Sequence, residues 1–374
     1  MDFAFSEEQE MLRSTVRTFV DRNYPESKVR ELMAGETGND PALWRQMAGQ
    51  LGLQGLAISE KHGGSGFGFQ EIAIVMEELG RALVPSPFLA SIVQAGTYLM
   101  HCGDDAAQAD YLPGIADGTT IATLAIAEES GQWDLGEISL TAGHGPGGPR
   151  LSGAKLFVVD GGTADLVLVA AREPAGGGLS VYAVERGIPG LSMQPLQTMD
   201  QTRKLAHLRF DAAPARLVGQ RGTAAQALEM AMYSGAVALA MEAVGGAQRA
   251  LEMAVDYAKI RHQFGRPIGS FQAIKHKCAD MLVEVEAARS AAYYGVWCAS
   301  ERNDELPLLA SLAKSVCADA YFQVAGENIQ VHGGIGYTWE HPAHLYFKRA
   351  KSTQILLGDS AYHRDRLATM AGIA

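Results

Sequence analysis

The chain has 374 residues, of which 47% are hydrophobic and 20% are charged, a length and balance typical of a globular protein with two or three packed subdomains. Its 31 basic and 42 acidic side chains give a formal net charge of -11, which would repel a phosphate backbone and argues against a nucleic-acid partner. No uninterrupted apolar run approaches about 18 residues, so the sequence does not predict insertion into a membrane.

The N-terminal segment and the reactive side chains exclude further classes. The first nine residues have neither the basic nor the apolar segment of a secretory signal, so we expect a cytoplasmic location. The four cysteines form no C-x-x-C pair and the ten histidines form no H-E-x-x-H motif. The sequence therefore predicts neither a disulfide framework nor a metal site.

The N-terminal part of the chain, residues 1–119, has the pattern of helices. Ser6, with Gln9 three residues later, forms the pattern of a helix N-cap and capping box ahead of an apolar helical period. The periodicity continues to about Gly118, with breaks at prolines and at the glycine-rich stretch 62–68. We expect a helical domain here.

The middle of the chain, residues 120–222, changes to short apolar runs that are divided by glycine and proline. The runs lie at 121–127, 155–159, 166–171, 179–184 and 205–210. Their lengths are typical of strands, and the glycine-rich stretches 143–149 and 176–178 fit hairpin connections. We expect a β-domain.

The rest of the chain, residues 223–374, returns to the helical period. Candidate helices lie at 223–260, 270–302, 307–331 and 342–370. Four long helices with short connections indicate an antiparallel bundle. No G-x-G-x-x-G motif stands between a strand and a helix, so a Rossmann dinucleotide site is not predicted.

Two strings in the last third are the most distinctive. The first is Y-A-K-I-R-H-Q-F-G-R-P-I at 257–268, followed by F-Q at 271–272. The second is Q-V-H-G-G-I-G-Y-T at 330–338, leading to K-R-A-K at 348–351. Together with E-E-L-G-R at 77–81, these strings resemble the acyl-CoA dehydrogenase family across nearly the whole chain.

The resemblance implies an α+β fold of the acyl-CoA dehydrogenase type, with an N-terminal helical domain (1–119), a middle β-barrel or β-sandwich domain (120–222) and a C-terminal four-helix bundle (223–374). Members are flavoproteins of fatty acid or lipid catabolism, oxidoreductases that use FAD. A carboxylate removes the α-proton of an acyl-CoA substrate while a hydride passes from the β-carbon to the flavin. The resemblance also implies an oligomer, usually a tetramer of two dimers, and an electron-transferring flavoprotein as electron acceptor.

The first string carries residues that contact a neighbouring subunit's FAD in relatives. An arginine at the position of Arg261 meets the pyrophosphate there, and the rigid fork of a guanidinium matches phosphate oxygens. A glutamine at the position of Gln272 also touches the neighbour's cofactor, and Phe264 supplies an apolar surface. For Gln272 and Phe264, ordinary packing is an open alternative.

The second string lies on the adenosine half of that same cofactor in relatives, through the backbone around Gln330, Val331, His332, Gly333 and Gly334. The missing β-carbons of the two glycines permit close approach. A glycine-rich helix end, and a packed or capping His332, are the alternatives that the residues leave open. With this match, each FAD straddles a subunit interface.

The family's base is missing from this sequence. The position of the usual glutamate aligns with Leu357, and the other position that relatives use aligns with Gly235. Asp359 is a candidate substitute base, although a Gly-Asp-Ser setting is also typical of a turn or helix N-cap. The backbone N–H of Gly358 is a candidate donor to the thioester oxygen, because that interaction needs no particular side chain.

The chain's own flavin loop also departs from the family. The T-E-P-x-x-G-S-D loop corresponds to A-E-E-S-G-Q-W-D at 127–134, and the W-I-T of the strand beside the flavin corresponds to F-V-V at 157–159. An aromatic surface is kept, whereas a hydroxyl that would bond the flavin ring is lost. We expect the half-site donated to a neighbour to be complete and the chain's own half-site to be degraded.

One hypothesis explains both halves. The chain is one subunit of a heteromeric acyl-CoA dehydrogenase, a heterotetramer with a homologous subunit that carries the glutamate and the full flavin loop. The alternative is a homomeric FAD-dependent enzyme, a dimer or tetramer of this chain, with a substitute base such as Asp359. A non-catalytic acyl-CoA-binding subunit, a non-redox enzyme and a helical interaction protein are further alternatives.

Overall fold

A computed structural model describes residues 5–145, 147–301 and 303–373 of the chain. The predictions for residues 1–4, for Pro146 in the 143–149 connection, for Arg302 at the end of the 270–302 helix and for Ala374 lie outside the described residues. The chain forms two compact units that alternate along the sequence. The first unit comprises 1–30, 69–84 and 236–374, and the second comprises 31–68 and 85–235.

The N-terminal region is helical, as predicted. Its helices are α1 (Glu7–Asn23), α2 (Glu26–Ala34), α3 (Pro41–Gly49), α4 (Phe69–Arg81), α5 (Thr97–His101), which follows a π-helical segment (Leu89–Gly96), and α6 (Asp105–Ala116). The capping box is confirmed: the Ser6 hydroxyl accepts the Gln9 N–H at 3.2 Å, and the Ser6 N–H donates to Gln9 Oε1 at 3.0 Å. In the first unit, Arg17 joins α1 to the buried Glu78 of α4 at 2.7 Å, which compensates the desolvation of that carboxylate.

The β-domain lies in the second unit and consists of two four-stranded sheets. The strands are β1 (Ala122–Ala125), β2 (Ala142–Gly145), β3 (Gly148–Val159), β4 (Leu166–Arg172), β5 (Leu179–Glu185), β6 (Leu191–Pro195), β7 (Leu205–Pro214) and β8 (Arg216–Val218). One sheet has the order β1-β4-β5-β8, with β1 parallel to β4, and the other has the order β2-β3-β7-β6. Leu151 and Val158 of one sheet share an apolar core with Val169 and Val184 of the other, as in a sandwich.

The C-terminal region contains α7 (Ala225–Ile260), α8 (Gln272–Glu301), α9 (Leu306–His332), α10 (Ala343–Ile355) and α11 (Ser360–Met370). A short hairpin of β9 (His262–Gln263) and β10 (Arg266–Pro267) joins α7 to α8. The prediction of one helix over 342–370 is wrong. The backbone of Leu357 and Gly358 has φ values of 59° and 100°, which end the helix, and Asp359 then caps a new one.

The predicted fold class is therefore confirmed, while the three-domain boundaries at 119/120 and 222/223 stay a prediction. Over a window of 18 residues, helix α7 meets the length and composition of a membrane span. Because 78% of that window is buried inside the protein, α7 has the character of a core helix.

Candidate functional site

The first distinctive string forms a tight hairpin at the end of α7. The Arg261 carbonyl accepts the N–H of Ile268 at 2.7 Å, which closes the hairpin behind its turn. Phe264 and Gly265 form the turn with φ values of 53° and 78°, the geometry of a type I′ turn. The Phe264 side chain is 91% exposed and meets Phe271 edge-on, with ring centroids 6.1 Å apart. The hairpin thus projects an aromatic ring away from its own bundle.

Arg261 and Gln272 flank this hairpin, and both are exposed. Within the described part of the chain, no acidic side chain forms an ion pair with the Arg261 guanidinium. By contrast, Arg289 and Arg349 of the same unit are paired with Glu77 and Glu242. A free, exposed guanidinium is the group expected to receive phosphate oxygens from outside the chain.

The second string forms the end of α9 and the turn that follows. Val331 and His332 are buried, whereas Gln330, Gly333 and Gly334 are exposed. Gly333 has φ 64° and ψ -141°, a conformation that is essentially restricted to glycine. A β-carbon at either glycine would meet nothing within 4 Å, so this backbone is open for close approach by another molecule.

A stack of rings joins the two strings. His332 stacks on Tyr257 of α7 with centroids 4.4 Å apart, and its ring lies 4.3 Å from that of His341. The Nδ1–H of His332 donates to the Asn328 carbonyl at 2.8 Å, and burial lowers the pKa of His332 below its ordinary value. A neutral imidazole therefore holds the end of α9 beside the end of α7. The ion pair of Lys277 with Glu327 joins α8 to α9 in the same region.

Leu357 and Gly235, which align with the two positions of the base in relatives, carry no carboxylate, and both are buried. Leu357 is 1% exposed. Asp359 is exposed and caps α11, where its Oδ1 accepts the Tyr362 N–H at 2.8 Å. Glu242, a buried carboxylate of α7, accepts the Thr353 hydroxyl at 2.7 Å and lies 3.3 Å from Arg349 Nε. Its charge is thereby compensated inside the bundle.

The turn at 356–359 has contacts that the sequence analysis missed. The ammonium of Lys314, a 0% exposed residue of α9, donates to the carbonyls of Gln354 at 3.1 Å and Gly358 at 3.0 Å. The Nε2–H of His363 donates to the Leu357 carbonyl at 3.1 Å. Burial, with Lys314 nearby, lowers the pKa of His363 to about 3, so the ring is neutral. In the sequence, this contact is indicated by Lys314 itself, a single lysine on an apolar face of α9.

The predicted site residues thus fall into two groups, which contact α9 at two separate places along the helix. His332 lies 18 residues after Lys314 in the same helix, which corresponds to about 27 Å at 1.5 Å per residue. Arg261, Phe264 and Gln272 belong with His332, through the hairpin and the ring stack. The Leu357 turn belongs with Lys314. The structure does not bring these two groups together within one chain.

In the second unit, an ion pair between the buried Lys155 and the partly buried Glu128 holds the loop that corresponds to the family's flavin loop. Lys155 Nζ lies 2.8 Å from Glu128 Oε1, and the same carboxylate accepts the Leu140 N–H at 3.0 Å. Burial lowers the pKa of Lys155 to about 8 against the opposing effect of Glu128. Burial alone would raise the pKa of Glu128, but Lys155 and the hydrogen bonds lower it. The Glu128 carboxylate therefore stabilises the fold of this loop through its bonds to Lys155 and Leu140.

Phe157 lies against that loop at a β-bulge. Its φ is 53°, it is 38% exposed, and β3 shifts register between Lys155 and Val158. A β-carbon on Gly131 would lie 3.8 Å from the Phe157 ring, so the ring covers the loop backbone. An aromatic surface is present, as expected from the sequence, without a hydroxyl-bearing side chain at 157–159.

The two surfaces differ in how well they fit FAD. The surface of Arg261, Gln272 and the Gly333 turn fits the pyrophosphate and adenosine of such a group, because it offers an unpaired cation and open backbone. The 127–134 loop fits less well, because the partly buried Glu128 carboxylate is already paired with Lys155. Over residues 5–145, 147–301 and 303–373, no group of three or more His, Cys, Asp or Glu side chains is arranged to hold a metal ion.

Comparisons with known proteins find similar sequences along most of the chain. The acyl-CoA dehydrogenase N-terminal domain matches residues 6–119, and the acyl-CoA dehydrogenase C-terminal domain matches residues 220–371. The acyl-CoA dehydrogenase IpdE2 of Mycobacterium tuberculosis is 37% identical over 351 residues, 94% of this chain and 93% of that protein.

Solved structures are similar to this chain over nearly its whole length. A chain of the ChsE4–ChsE5 complex from Mycobacterium tuberculosis has a TM-score of 0.90 and 31% identity, with 100% of both chains covered. A variant of the Tcur3481–Tcur3483 steroid ACAD has a TM-score of 0.89 and 32% identity, with 98% of both chains covered.

Proposed function

The chain belongs to the acyl-CoA dehydrogenase family of FAD-dependent oxidoreductases, and on that premise we propose that it is one subunit of a heteromeric enzyme that forms an α,β double bond in an acyl-CoA. A contrast carries the proposal. Leu357 and Gly235 leave both base positions without a carboxylate, whereas the Arg261 guanidinium is exposed and unpaired. On this proposal, the residues that contact a neighbour's FAD are present, whereas the carboxylate that the chain's own site would need is absent.

The chemistry divides between the subunits accordingly. FAD, when bound, accepts the hydride from the β-carbon. The homologous partner supplies the carboxylate that removes the α-proton. This chain supplies Arg261, which neutralises pyrophosphate charge, Gln272, which donates or accepts a hydrogen bond, and the open backbone at Gly333 and Gly334. The exposed ring of Phe264 excludes water from the junction.

The separation along α9 supports this division. The surface that we assign to a neighbour's FAD includes His332, which lies about 27 Å along the helix from Lys314, and Lys314 bonds the Leu357–Gly358 turn. One chain therefore contributes to two different sites in an assembly. With a homologous subunit opposite, one site has the base and the flavin loop, and the other has Leu357 in place of the base.

The comparisons support the choice of partner. Two of the similar structures carry paired designations, ChsE4–ChsE5 and Tcur3481–Tcur3483, which fits a chain that works beside a homologue. An electron-transferring flavoprotein as electron acceptor follows from the family resemblance and belongs to the same proposal. So does a cytoplasmic location, since the apolar part of α7 is buried in protein rather than available to a bilayer.

A second candidate is a homomeric acyl-CoA dehydrogenase with Asp359 as the base. Its support is an exposed carboxylate two residues from Leu357. The capping bond from the Tyr362 N–H weighs against it, because a base that takes up a proton in each turnover would weaken its own helix cap.

The test is the FAD content of the chain purified alone and after co-expression with a homologous subunit that has the glutamate. We expect little FAD in the chain alone and about one FAD for each pair of subunits in the mixed complex. One FAD per protomer in the chain alone, reduced by an acyl-CoA, would overturn the heteromeric proposal in favour of the second candidate.

A further inference from the structure

We propose that a cavity in the first unit binds a small zwitterion, a molecule in which a short apolar chain joins a carboxylate to an ammonium. The cavity has a volume of about 370 Å³, which is within the range of small-molecule sites. Its walls come from the end of α1, the start of α2, the end of α4, the second half of α7 and the start of α10. All of the lining residues belong to the first unit.

The cavity is separate from the surfaces discussed above. Arg249, which lines it, stands 12 residues before Arg261 and 14 residues after Gly235 in the sequence. At 1.5 Å per residue, these separations correspond to about 18 Å and about 21 Å along α7. The cavity therefore belongs neither to the surface assigned to FAD nor to the position of the base.

Two arginines supply the positive charge of the cavity. The Glu252 carboxylate is shared between them, 2.7 Å from Arg81 Nη1 and 3.4 Å from Arg249 Nη1. Among the described residues, no second acidic side chain pairs with either arginine, so one positive charge is left in excess. The Tyr346 hydroxyl donates to the Arg81 carbonyl at 2.7 Å, which fixes the backbone of this wall. The remaining N–H groups of the guanidinium forks suit a ligand carboxylate.

An acidic side chain lies on another wall of the cavity. Glu26 is already paired with Arg30 at 2.8 Å, whereas Asp21 is exposed and forms no ion pair with any residue that the structure describes. The lining thus carries one uncompensated charge of each sign. A simple anion would be repelled by Asp21, and a simple cation would be repelled by the arginines. A ligand with both charges complements both walls.

Much of the remaining lining is apolar and fits a short hydrocarbon chain; it includes Val29, Leu83, Met253 and Leu345. Leu83 is a strained residue, because its φ is 53°, and its N–H donates to the Gly80 carbonyl at 3.2 Å where α4 ends. Glycine is the usual residue at such a left-handed helix end. The leucine instead supplies an apolar side chain, 3% exposed, to the cavity.

The test compares three probes that have the same six-carbon chain and different charges. They are ε-aminocaproate, which has both charges, caproate, which has only the carboxylate, and hexylammonium, which has only the ammonium. Binding to the purified full chain is measured by calorimetric titration. We expect ε-aminocaproate to bind in the millimolar range, about tenfold more tightly than either of the others, because each charged contact contributes about one decade of affinity.

Two substitutions separate the charged contacts. Arg249→Gln should weaken ε-aminocaproate by about tenfold without weakening hexylammonium, and Arg249→Lys, which keeps the charge, should retain most of the affinity. Asp21→Asn should weaken ε-aminocaproate by about tenfold without weakening caproate. Both residues are at least partly exposed, and Glu252 keeps its contact with Arg81 in the Arg249 variants, so all three proteins should fold.

Asp256→Asn is the matched control for Asp21→Asn. Asp256 is an exposed carboxylate of α7 that pairs with Lys259 and does not line the cavity, so its substitution should leave the binding of all three probes unchanged. Equal affinity of the unaltered protein for the three probes would overturn the proposal, as would the absence of binding. Caproate binding as tightly as ε-aminocaproate would show an anion site instead. An unchanged ε-aminocaproate affinity in both Arg249→Gln and Asp21→Asn would place the ligand elsewhere and refute this cavity as its site.

Discussion

The rings of Tyr257 and His332 stack with centroids 4.4 Å apart and planes 27° apart, and so join the end of α7 to the end of α9. The stacked residues stand four positions before Arg261 and one before Gly333 in the sequence, so the contact ties together the two segments that we assign to FAD. Tyr257→Leu should therefore weaken FAD retention in the assembled protein by about two- to tenfold, because an aromatic pair contributes about 0.5–1.5 kcal/mol beyond its burial.

A fluorescence titration of FAD release measures that effect. Tyr294→Leu is the matched control, since it breaks the Tyr294–Trp297 stack elsewhere on the bundle and should leave FAD affinity unchanged. Equal FAD affinity in Tyr257→Leu and the unaltered protein would mean that the stack serves only the bundle.

The exposed guanidinium of Arg261 should contribute directly to FAD binding. We expect Arg261→Ala to weaken retention by about tenfold or more, because charge-assisted hydrogen bonds contribute about 1.5–3 kcal/mol. The loss should diminish at high salt, where phosphate contacts are screened. Lys259→Ala removes a cation two residues earlier that is already paired with Asp256, and it should have little effect. Unchanged FAD occupancy in Arg261→Ala would remove this cofactor assignment.

Asp359 distinguishes the two candidate functions. In a heteromeric enzyme, Asp359→Asn should leave turnover unchanged and stability nearly unchanged, because asparagine caps helices about as well as aspartate. Asp359→Ala should lower the free energy of unfolding by about 1 kcal/mol through loss of the cap. Turnover and thermal unfolding of the same preparations measure both. A large fall in turnover with Asp359→Asn at normal stability would favour the homomeric enzyme.

His363 should make the protein sensitive to acid. Burial lowers its folded-state pKa to about 3, whereas a histidine in the unfolded chain titrates near pH 6.5, so only the unfolded chain takes up the proton between those values. Stability is unaffected above about pH 6.5 and falls below it by about 1.4 kcal/mol per pH unit, or about 2 kcal/mol by pH 5. Urea unfolding at pH 7.5 and pH 5 should show a smaller loss in His363→Gln than in the unaltered protein. Equal losses would contradict this assignment.

Local patterns predicted the architecture well. The Ser6 capping box, the apolar runs of the β-domain and the long helical periods all depend on neighbours within a few residues, and these appear in the structure. The Gly-Asp-Ser sequence allowed for the helix N-cap that the structure has at Asp359, whereas the left-handed backbone at Leu357, which ends α10, has no signal in that residue type. The carbonyls of this turn accept hydrogen bonds from His363 and from Lys314, which is 44 residues from Gly358 in the chain.

The candidate site was only partly accessible from the sequence. Motif strings located Arg261, Gln272 and the Gln330–Gly334 segment, and their assignment to FAD remains a proposal. The Lys155–Glu128 pair and the ring stack of Tyr257 on His332 could not be predicted, because each joins residues far apart in the chain. Such pairings depend on the packed tertiary structure rather than on any periodic pattern.

The alternation of the two compact units has a consequence for dissecting the gene. The chain crosses between units four times, at 30/31, 68/69, 84/85 and 235/236, so no single cut separates one complete unit from the other. A fragment that begins at residue 236 lacks the α1 and α4 segments of its own unit, including the Arg17–Glu78 pair. Split-gene pieces should therefore recover a native fold only by complementing each other in trans, and truncation libraries should yield few independently folding halves.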